Sequence, residues 1–576
     1  MGNCSNCIPI SEPESSLINS LQISNSSILG KYTQVTPAPS ICCYKSKINS
    51  NKNLIDNIKL SSKQKKLLEK RILRDKSKSK QIKNSISSST RNKLNLGHKN
   101  NQSELSTISL TVSNKLFINE IEYTPDKKYK IIKNIGHGSY GDVYLAYNIN
   151  TNEKVAIKKL YITDDILTES EIINEIEILK KLNHPDIVKI LEFYKTDTAY
   201  YIINEYCSGG ELFFKAEKQL SETQVSVIFK QILSGLAYLH SKNITHRDLK
   251  LENILVSDSE FFPSTREEYL DIKIIDFGNA KFFENSLKTN SIVGSSYYVA
   301  PEIFMKKTGK ESDLWSAGVI LYILIVGSPP FNGESDKLII SKVKKGVYNT
   351  SDIRWKNASK EVKDLIEKLL IFDPRKRLTA KEALEHEWFK KMKSNILYSN
   401  ITKNEIVKCI QNLLSYDIDN KFKELVMAYI VHNMAKIKQI KIAIKLFKLV
   451  NFNEDGKLKK EELKKILLNF VSEEHLINFD KIFNLLDSQN NGYIEYGEFL
   501  RAALDRKSIL NEQNLRLAFD FFDKEKKGFF NEEEMKIFFN KNKLDDKLFH
   551  IIFDEFDINK DGKIDFEEFK KVMLLN

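Results

Sequence analysis

Cysteine is scarce in this chain: six in 576 residues, Cys4, Cys7, Cys42, Cys43, Cys207 and Cys409. They follow neither a disulfide framework nor metal-ligand spacing, which points to a reducing compartment. Long apolar runs are also missing. The longest, Val319–Val326, is far short of the roughly 20 residues that cross a bilayer, and no secretory leader is expected. The first 128 residues are poor in aromatic side chains and lack sustained periodicity, so no packed core is expected there. Beyond them net charge is absent: residues 1–128 hold 21 Lys/Arg against 9 Asp/Glu, the whole of the chain's +12. A basic excess confined to a Ser-, Asn- and Lys-rich tail, densest from Lys63 to Lys99, suits anionic lipid or a solvated linker. No nucleic-acid partner is expected.

What is present is ample for burial. Hydrophobic residues make up 41% and charged residues 29%, and the length suits three or four domains. Four textures divide the chain. Residues 1–128 read as a disordered basic tail. Residues 129–389 read as an α/β domain, with short β-branched runs first and helical patterns later. Residues 390–438 form a connector with two apolar stripes. Ile406, Ile410, Leu413 and Leu414 make the first; Phe422, Leu425, Val426, Tyr429, Ile430 and Met434 make the second. Residues 439–576 repeat a helix–loop–helix texture, with polar loops starting at Asn451, Asp487, Asp523 and Asp557, offset by 36, 36 and 34 residues.

Gly136-His137-Gly138-Ser139-Tyr140-Gly141-Asp142-Val143 follows a β-like run from Tyr129 to Ile135. Glycines at this spacing let a hairpin's backbone approach phosphates that a Cβ would keep away. A dinucleotide-binding fold has a similar string, but there a helix follows; here Val143, Tyr144 and Leu145 continue as strand. Val155-Ala156-Ile157-Lys158 then ends a second strand in an ammonium able to hold nucleotide phosphates, and Glu175 on the next helical pattern could orient it. His246-Arg247-Asp248-Leu249-Lys250-Leu251-Glu252-Asn253, Asp276-Phe277-Gly278 and Ala300-Pro301-Glu302 complete an ordered set. The set resembles the eukaryotic protein kinase family.

That resemblance implies phosphoryl transfer, in which positioning and charge neutralisation dominate. It assigns the substrate hydroxyl's proton to Asp248, the transferring γ-phosphoryl group to Lys250, and the α- and β-phosphates to Lys158 with Glu175. Asn253 and Asp276 would hold Mg²⁺. ATP would lie among Gly136, Gly138, Gly141, Val143, Ala156, Lys158, Glu205, Cys207, Glu211 and Leu255. Asp313-Leu314-Trp315-Ser316-Ala317-Gly318 and the pair Glu302–Arg377 match the family as structure. Three positions depart from it. Leu251 replaces the usual proline. The interval from Asn253 to Asp276 is long and contains Phe261-Phe262-Pro263, read as a surface hairpin insertion. Asn204 puts a polar group at the gate behind adenine. Ser295 after Gly294 matches Ser/Thr-directed members, and Glu211 with Glu252 would favour a basic residue upstream of the phosphoacceptor.

The last repeat, 557–568, fits the 12-residue EF-hand Ca²⁺ loop at every position. Asp557, Asn559, Asp561 and Asp565 supply side-chain oxygens, Lys563 a backbone carbonyl, Gly562 the turn and Glu568 the bidentate carboxylate. Loop 487–498 offers Asp487, Gln489, Asn491, the Tyr493 carbonyl, Glu495 and Glu498, with Gln489 slightly long. Loop 451–462 offers Asn451, Asn453, Asp455, the Lys457 carbonyl and Glu462; with fewer carboxylates, weaker binding is expected. Loop 523–534 has Asp523, Glu525, Asn531 and Glu534, but Lys527 occupies position five. An ammonium there should repel the ion, so this loop is expected to be poor or silent and to serve by pairing with a stronger one.

Kinase motifs, connector and four loops together make residues 129–576 similar to the calcium-dependent protein kinases of plants and of apicomplexan or ciliate protists. The resemblance implies a bilobal α+β kinase fold, an all-α calmodulin-like domain, and a connector that holds the kinase inactive until Ca²⁺ binds. ATP, Mg²⁺ and Ca²⁺ are the expected cofactors, and protein Ser/Thr hydroxyls in basic contexts the expected acceptors. The apolar helix Phe422–Met434, flanked by Lys421 and Lys436, suits a groove opened by Ca²⁺. Two alternatives stay open: a constitutively active kinase with structural or docking EF-hands, and a catalytically dead Ca²⁺-binding scaffold.

Met1-Gly2-Asn3-Cys4-Ser5 resembles an N-myristoylation start at Gly2 with palmitoylation at Cys4, although Asn6 stands where Ser or Thr is usual. One acyl chain binds weakly, so Cys4, Cys7 or the basic stretch Lys65–Arg74 would supply the second signal. The expected location is the cytoplasmic face of a membrane, with a cytosolic pool.

Overall fold

Six strands rich in β-branched and aromatic residues open the described part of the chain: β1 (Glu120–Ile121), β2 (Tyr129–Gly138), β3 (Gly141–Asn148), β4 (Lys154–Tyr161), β5 (Ile190–Lys195) and β6 (Ala199–Glu205). They form one sheet in the order β1-β5-β6-β4-β3-β2. All neighbours are antiparallel except β1 and β5, which run parallel. Helix α1 (Ile166–Leu179) buries Ile172, Ile176, Ile178 and Leu179 beside the sheet. The computed structural model describes residues 117–575 apart from 119, 139–140, 163–165, 263–266, 283–295, 306–308, 393–401, 419–420, 436, 452–455 and 541–545. The acylation start at Gly2 and Cys4, the tail through 116, Ser295, Asn453 and Asp455 lie outside the described residues.

The sequence places the tail's end at residue 128, and this boundary needs correction. Residues 117–128 belong to the fold: Phe117 and Ile118 are buried, β1 pairs with β5, and Pro125–Lys127 form a 3₁₀ turn. Two strand residues are too few to show a period in sequence. Their order comes from pairing with β5 and from Phe117 packing on Tyr429 and Phe521, with ring centroids at 5.5 and 6.2 Å.

The second lobe is mostly helical. α2 (Glu222–Ser241) starts at a capping box made by Ser221 and Gln224. Then come β7 (Ile244–Thr245), the antiparallel hairpin β8 (Ile254–Phe262) and β9 (Glu267–Ile274), and β10 (Lys281–Phe282) paired to β7. α3 (Lys310–Val326) carries the longest apolar run and buries Trp315 and Tyr322 completely. A helix apolar on every side is a buried core helix, and among the described residues none is long and apolar enough to cross a membrane. It stops at Gly327, where φ of 80° requires a residue without a Cβ. α4 (Lys360–Leu369) closes this core with Val362, Leu365, Ile366 and Leu369.

The connector folds as α5 (Lys403–Leu414) and α6 (Lys421–Asn433), followed by α7 (Ile437–Val450), so the expected boundary at 438 falls inside a helix. Four helix–loop–helix units complete the chain. Their strands pair as β11 (Lys457–Lys459) with β12 (Tyr493–Glu495), and β13 (Phe529–Asn531) with β14 (Lys563–Asp565). The helices are α8 (Lys460–Leu467), α9 (Phe479–Leu486), α10 (Tyr496–Ala503), α11 (Glu512–Phe522), α12 (Glu532–Asn540), α13 (Asp546–Phe556) and α14 (Phe566–Leu574). One apolar core holds α5, α6 and α7 together with these helices and is separate from the core built around α2 and α3. Ile406, Ile410, Leu413 and the whole second stripe, Phe422 to Met434, are buried in it.

Candidate active site and calcium loops

Strand β4 presents Lys158 towards α1. Its Nζ donates to Glu175 Oε1 at 2.7 Å and to Asp276 Oδ1 at 2.9 Å. Burial alone would lower the Lys158 pKa, but the two carboxylates outweigh it and hold the ammonium above its usual range. Burial raises the Glu175 carboxyl, whereas for Asp276 the Lys158 charge outweighs burial and lowers it. A second group lies on the loop after β7. Lys250 Nζ donates to Asp248 Oδ2 at 3.0 Å, and Asn253 Nδ2 donates to the Asp248 carbonyl at 2.8 Å. The two groups are tied together: the Ile275 N–H donates to the Asn253 carbonyl at 2.9 Å, and His246 Nε2 meets the Ile275 carbonyl at 3.0 Å.

The loop's conformation is held from below. Asp313, buried near the start of α3, accepts the backbone N–H groups of His246 and Arg247, each at 2.9 Å, and pairs with His240 Nε2 at 2.9 Å. These partners outweigh burial and keep its carboxyl below the usual range. That anchoring supports Arg247 in the left-handed region at φ 70°, and Asp276, next to the Ile275–Asn253 bond, is also left-handed at φ 62°. Such backbone costs about 1–3 kcal/mol and clusters at functional sites. Arg377 binds Glu302 in a buried bidentate pair at 2.8 and 3.1 Å, which fixes the turn at Pro301–Met305.

Around these groups, Val143 lies opposite Lys158, and Ala156 opposite Asn204, in the sheet register. Asn204 Oδ1 is buried without a hydrogen-bond partner. Glu205 accepts the Lys189 N–H and the Lys273 Nζ, both at 2.8 Å. The buried Cys207 thiol is pushed up to about 12, so it packs rather than reacts. Glu211 bridges Leu255 through the backbone, and burial followed by the Glu252 charge raises its carboxyl. Gly136 and Gly138 lie on β2, and Gly141 opens β3. A Cβ on Gly141 would sit 1.8 Å from the Lys159 carbonyl oxygen, so this glycine is required by the approach of β4.

The Ca²⁺ loops share one scaffold. In loop 487–498, Asp487 accepts the N–H groups of Asn491 and Gly492 at 3.0 and 2.8 Å, and Glu498 Oε2 accepts the Glu495 N–H at 2.8 Å. In loop 557–568, Asp557 accepts from Asp561 and Gly562 at 3.2 and 2.9 Å, and Glu568 Oε2 accepts from Asp565 at 3.1 Å. Gly492 and Gly562 have φ of 83° and 78°, the turn that the sixth loop position needs. The donor types and the turn fit Ca²⁺, while the carboxylates are turned onto backbone N–H groups. Among the described residues no three His, Cys, Asp or Glu gather closely enough to hold a metal ion. Burial pushes the Glu498 carboxyl up to about 7. In loop 451–462, Asn451 Oδ1 is buried without a partner and Glu462 accepts the Lys459 N–H at 3.2 Å. Loop 523–534 has the same backbone, but Lys527 Nζ reaches Glu525 Oε2 at 3.0 Å and Glu534 Oε1 at 3.1 Å.

Comparison with known proteins agrees with both halves. Residues 129–389 match the protein kinase domain family, and residues 441–504 and 512–574 match the EF-hand domain pair. Calcium-dependent protein kinase 4 of Plasmodium falciparum is 35% identical over 477 residues, covering 80% of this chain and 88% of its own length. The chain belongs to the calcium-dependent protein kinase family. Calcium-dependent protein kinase 14 of Arabidopsis thaliana is 33% identical over 78% of this chain and 83% of its own. Calcium-dependent protein kinase 5 of Plasmodium falciparum is 39% identical over a shorter span, 55% of this chain. The chain is a calcium-dependent serine/threonine protein kinase; its kinase domain implies ATP and Mg²⁺, and its EF-hands Ca²⁺.

Sequence reasoning missed the groups that join the two halves. Lys189 donates its Nζ to the His432 carbonyl on α6, and burial pulls its pKa down to about 8. Lys242 reaches Glu495 at 3.2 Å. The visible signal was on α7, whose lysines have no acidic residue on their own helix.

Proposed function

We propose that Asp248 accepts the proton of a substrate Ser/Thr hydroxyl while Lys250 and Lys158 neutralise the transferring and anchoring phosphates. Asn253 Oδ1 and the Asp276 carboxylate would hold Mg²⁺, which when bound screens the phosphate charge. Asn253 also fixes Asp248 through its carbonyl, so the base is oriented before substrate arrives. Glu175 keeps Lys158 aimed, and Asp313 keeps the loop in place.

The connector is the switch in this reading. The observation that carries it is that Lys158 and Glu175 are paired while both connector helices are buried in the EF-hand core. This is a transfer-competent arrangement with the connector withdrawn. Without Ca²⁺ the EF-hand groove closes, the connector is released, and it holds the kinase inactive. Glu211 and Glu252, close enough for one charge to raise the other's pKa, favour a basic residue on the substrate. Gly2 and Cys4 acylation with the basic tail would hold the enzyme at the cytoplasmic face of a membrane.

Transfer to a serine peptide with and without an upstream arginine, at chelated and micromolar Ca²⁺, tests the core of this. Preference for the arginine peptide and dependence on Ca²⁺ are expected; equal rates on both peptides remove the basic-context assignment. Gly2→Ala should release the protein from membranes, and unchanged fractionation would remove the acyl anchor.

A further inference from the structure

The hairpin β8–β9, inserted between Asn253 and Asp276, has an unfavourable charge pattern on its own. Asp258 lies directly opposite Asp271 in the antiparallel register, and Glu260 follows two residues later on the same strand. Like charges facing each other across strands destabilise a sheet. Residues two apart on a strand share a face, so three carboxylates crowd one side of the hairpin.

Their counter-charges come from the other half of the chain. Helix α7 carries Lys441, Lys445 and Lys448 at intervals of four and three residues, which places them along one helix face. Its opposite side, with Ala443, Leu446 and Phe447, is buried in the EF-hand core. Lys441 Nζ lies 2.7 Å from Asp258 Oδ2, and Lys445 Nζ pairs with Glu260. Lys448 Nζ lies 3.1 Å from Asp271 Oδ1 and 2.7 Å from Asp186 Oδ1, and donates to Gln231 Oε1 at 3.1 Å. The pairs become more buried along the helix. The Lys441 side chain is 35% exposed, whereas Lys445 and Lys448 are 8% and 9% exposed.

We infer that the acidic face of the inserted hairpin is the docking surface for the lysine face of the first EF-hand helix. The hairpin thereby holds the Ca²⁺-binding half on the kinase. An isolated surface ion pair contributes little. Burying Lys445 and Lys448 costs desolvation that only well-placed carboxylates offset, so among docked arrangements they select the one that sets them against this hairpin. The docking rests on geometry alone. Its effect on activation rests on the proposed switch, in which the docked arrangement is the transfer-competent one.

Two measurements on the full chain test it. A zero-length carbodiimide reagent, in saturating Ca²⁺, should join Lys441 to Asp258 and Lys445 to Glu260, as identified by peptide mass spectrometry. Lys391, just past the end of the kinase domain, and Glu361 on α4, 2.8 Å apart, serve as the control pair. Cross-linking of the control without either α7–hairpin product would overturn the docking. The second measurement is the free Ca²⁺ giving half-maximal phosphate transfer. Glu260→Lys and Lys445→Glu should each raise it tenfold or more, and the double reversal should recover most of the loss. Singles indistinguishable from the parent, or a double no better than the singles combined, would overturn the claim that the hairpin selects the active arrangement. Cross-links present with activity insensitive to Ca²⁺ would support the docking while removing the switch.

Discussion

Replacing Phe422 by alanine separates the connector from the domain that holds it. Phe422 is fully buried on α6, with its ring centroid 4.7 Å from Phe556, 5.1 Å from Phe522, 6.2 Å from Phe530 and 6.3 Å from Phe569. All four contacts are edge-on to rings in the last two EF-hand units. A Phe→Ala change in such a core costs about 3–5 kcal/mol. Taking the lower figure, withdrawal of the connector becomes less favourable by about a hundredfold. If two Ca²⁺ ions share that coupling, the half-activating concentration rises about tenfold. The assay is peptide phosphorylation against buffered free Ca²⁺, with far-ultraviolet circular dichroism to confirm that the EF-hand domain stays helical. An unchanged activation curve in a folded variant would refute the placement of α6 as the element that Ca²⁺ withdraws.

Three further outcomes are expected. Asp248→Asn should abolish transfer while ATP still raises the melting temperature; residual turnover near the parent's would remove Asp248 as the base. Lys527→Asn should remove the ammonium pairing with Glu525 and Glu534 and add a bound Ca²⁺ in titration calorimetry, whereas unchanged stoichiometry would mean that Lys527 does not block the third loop. His184 is held neutral, well below its usual pKa, by burial and then by the Lys448 and Lys273 charges; its Nδ1 accepts the Asp186 N–H at 3.2 Å. An unfolded histidine takes up a proton below pH about 6.5, so its contribution is complete above that value and falls by about 1.4 kcal/mol per pH unit below it. Urea unfolding at neutral and mildly acidic pH should show a shallower acid loss for His184→Gln, and equal slopes would contradict this.

The kinase and EF-hand halves were legible because their chemistry is carried by residues adjacent in sequence. Asp248, Lys250 and Asn253 sit on one short loop, and each Ca²⁺ loop is a single 12-residue segment. The connector stripes were legible too, since α5 and α6 bury them at helical spacing. What could not be read joins distant segments. The insertion was visible as a hairpin, but its partner α7 lies about 180 residues further on, and ion pairs leave no periodicity. β1 is two residues long and exists only beside β5, and the inward burial of Phe117 depends on Tyr429 and Phe521. For Lys527 the sequence showed the wrong charge in a ligand position. The structure adds where that charge goes, onto Glu525 and Glu534.

The most direct test of the account is phosphate transfer by the full chain to a basic serine peptide as free Ca²⁺ is stepped from chelated to micromolar. The account predicts negligible transfer under chelation and a steep rise once Ca²⁺ is present. Equal transfer at every Ca²⁺ level would contradict it, leaving a kinase whose EF-hand half does not control the active site.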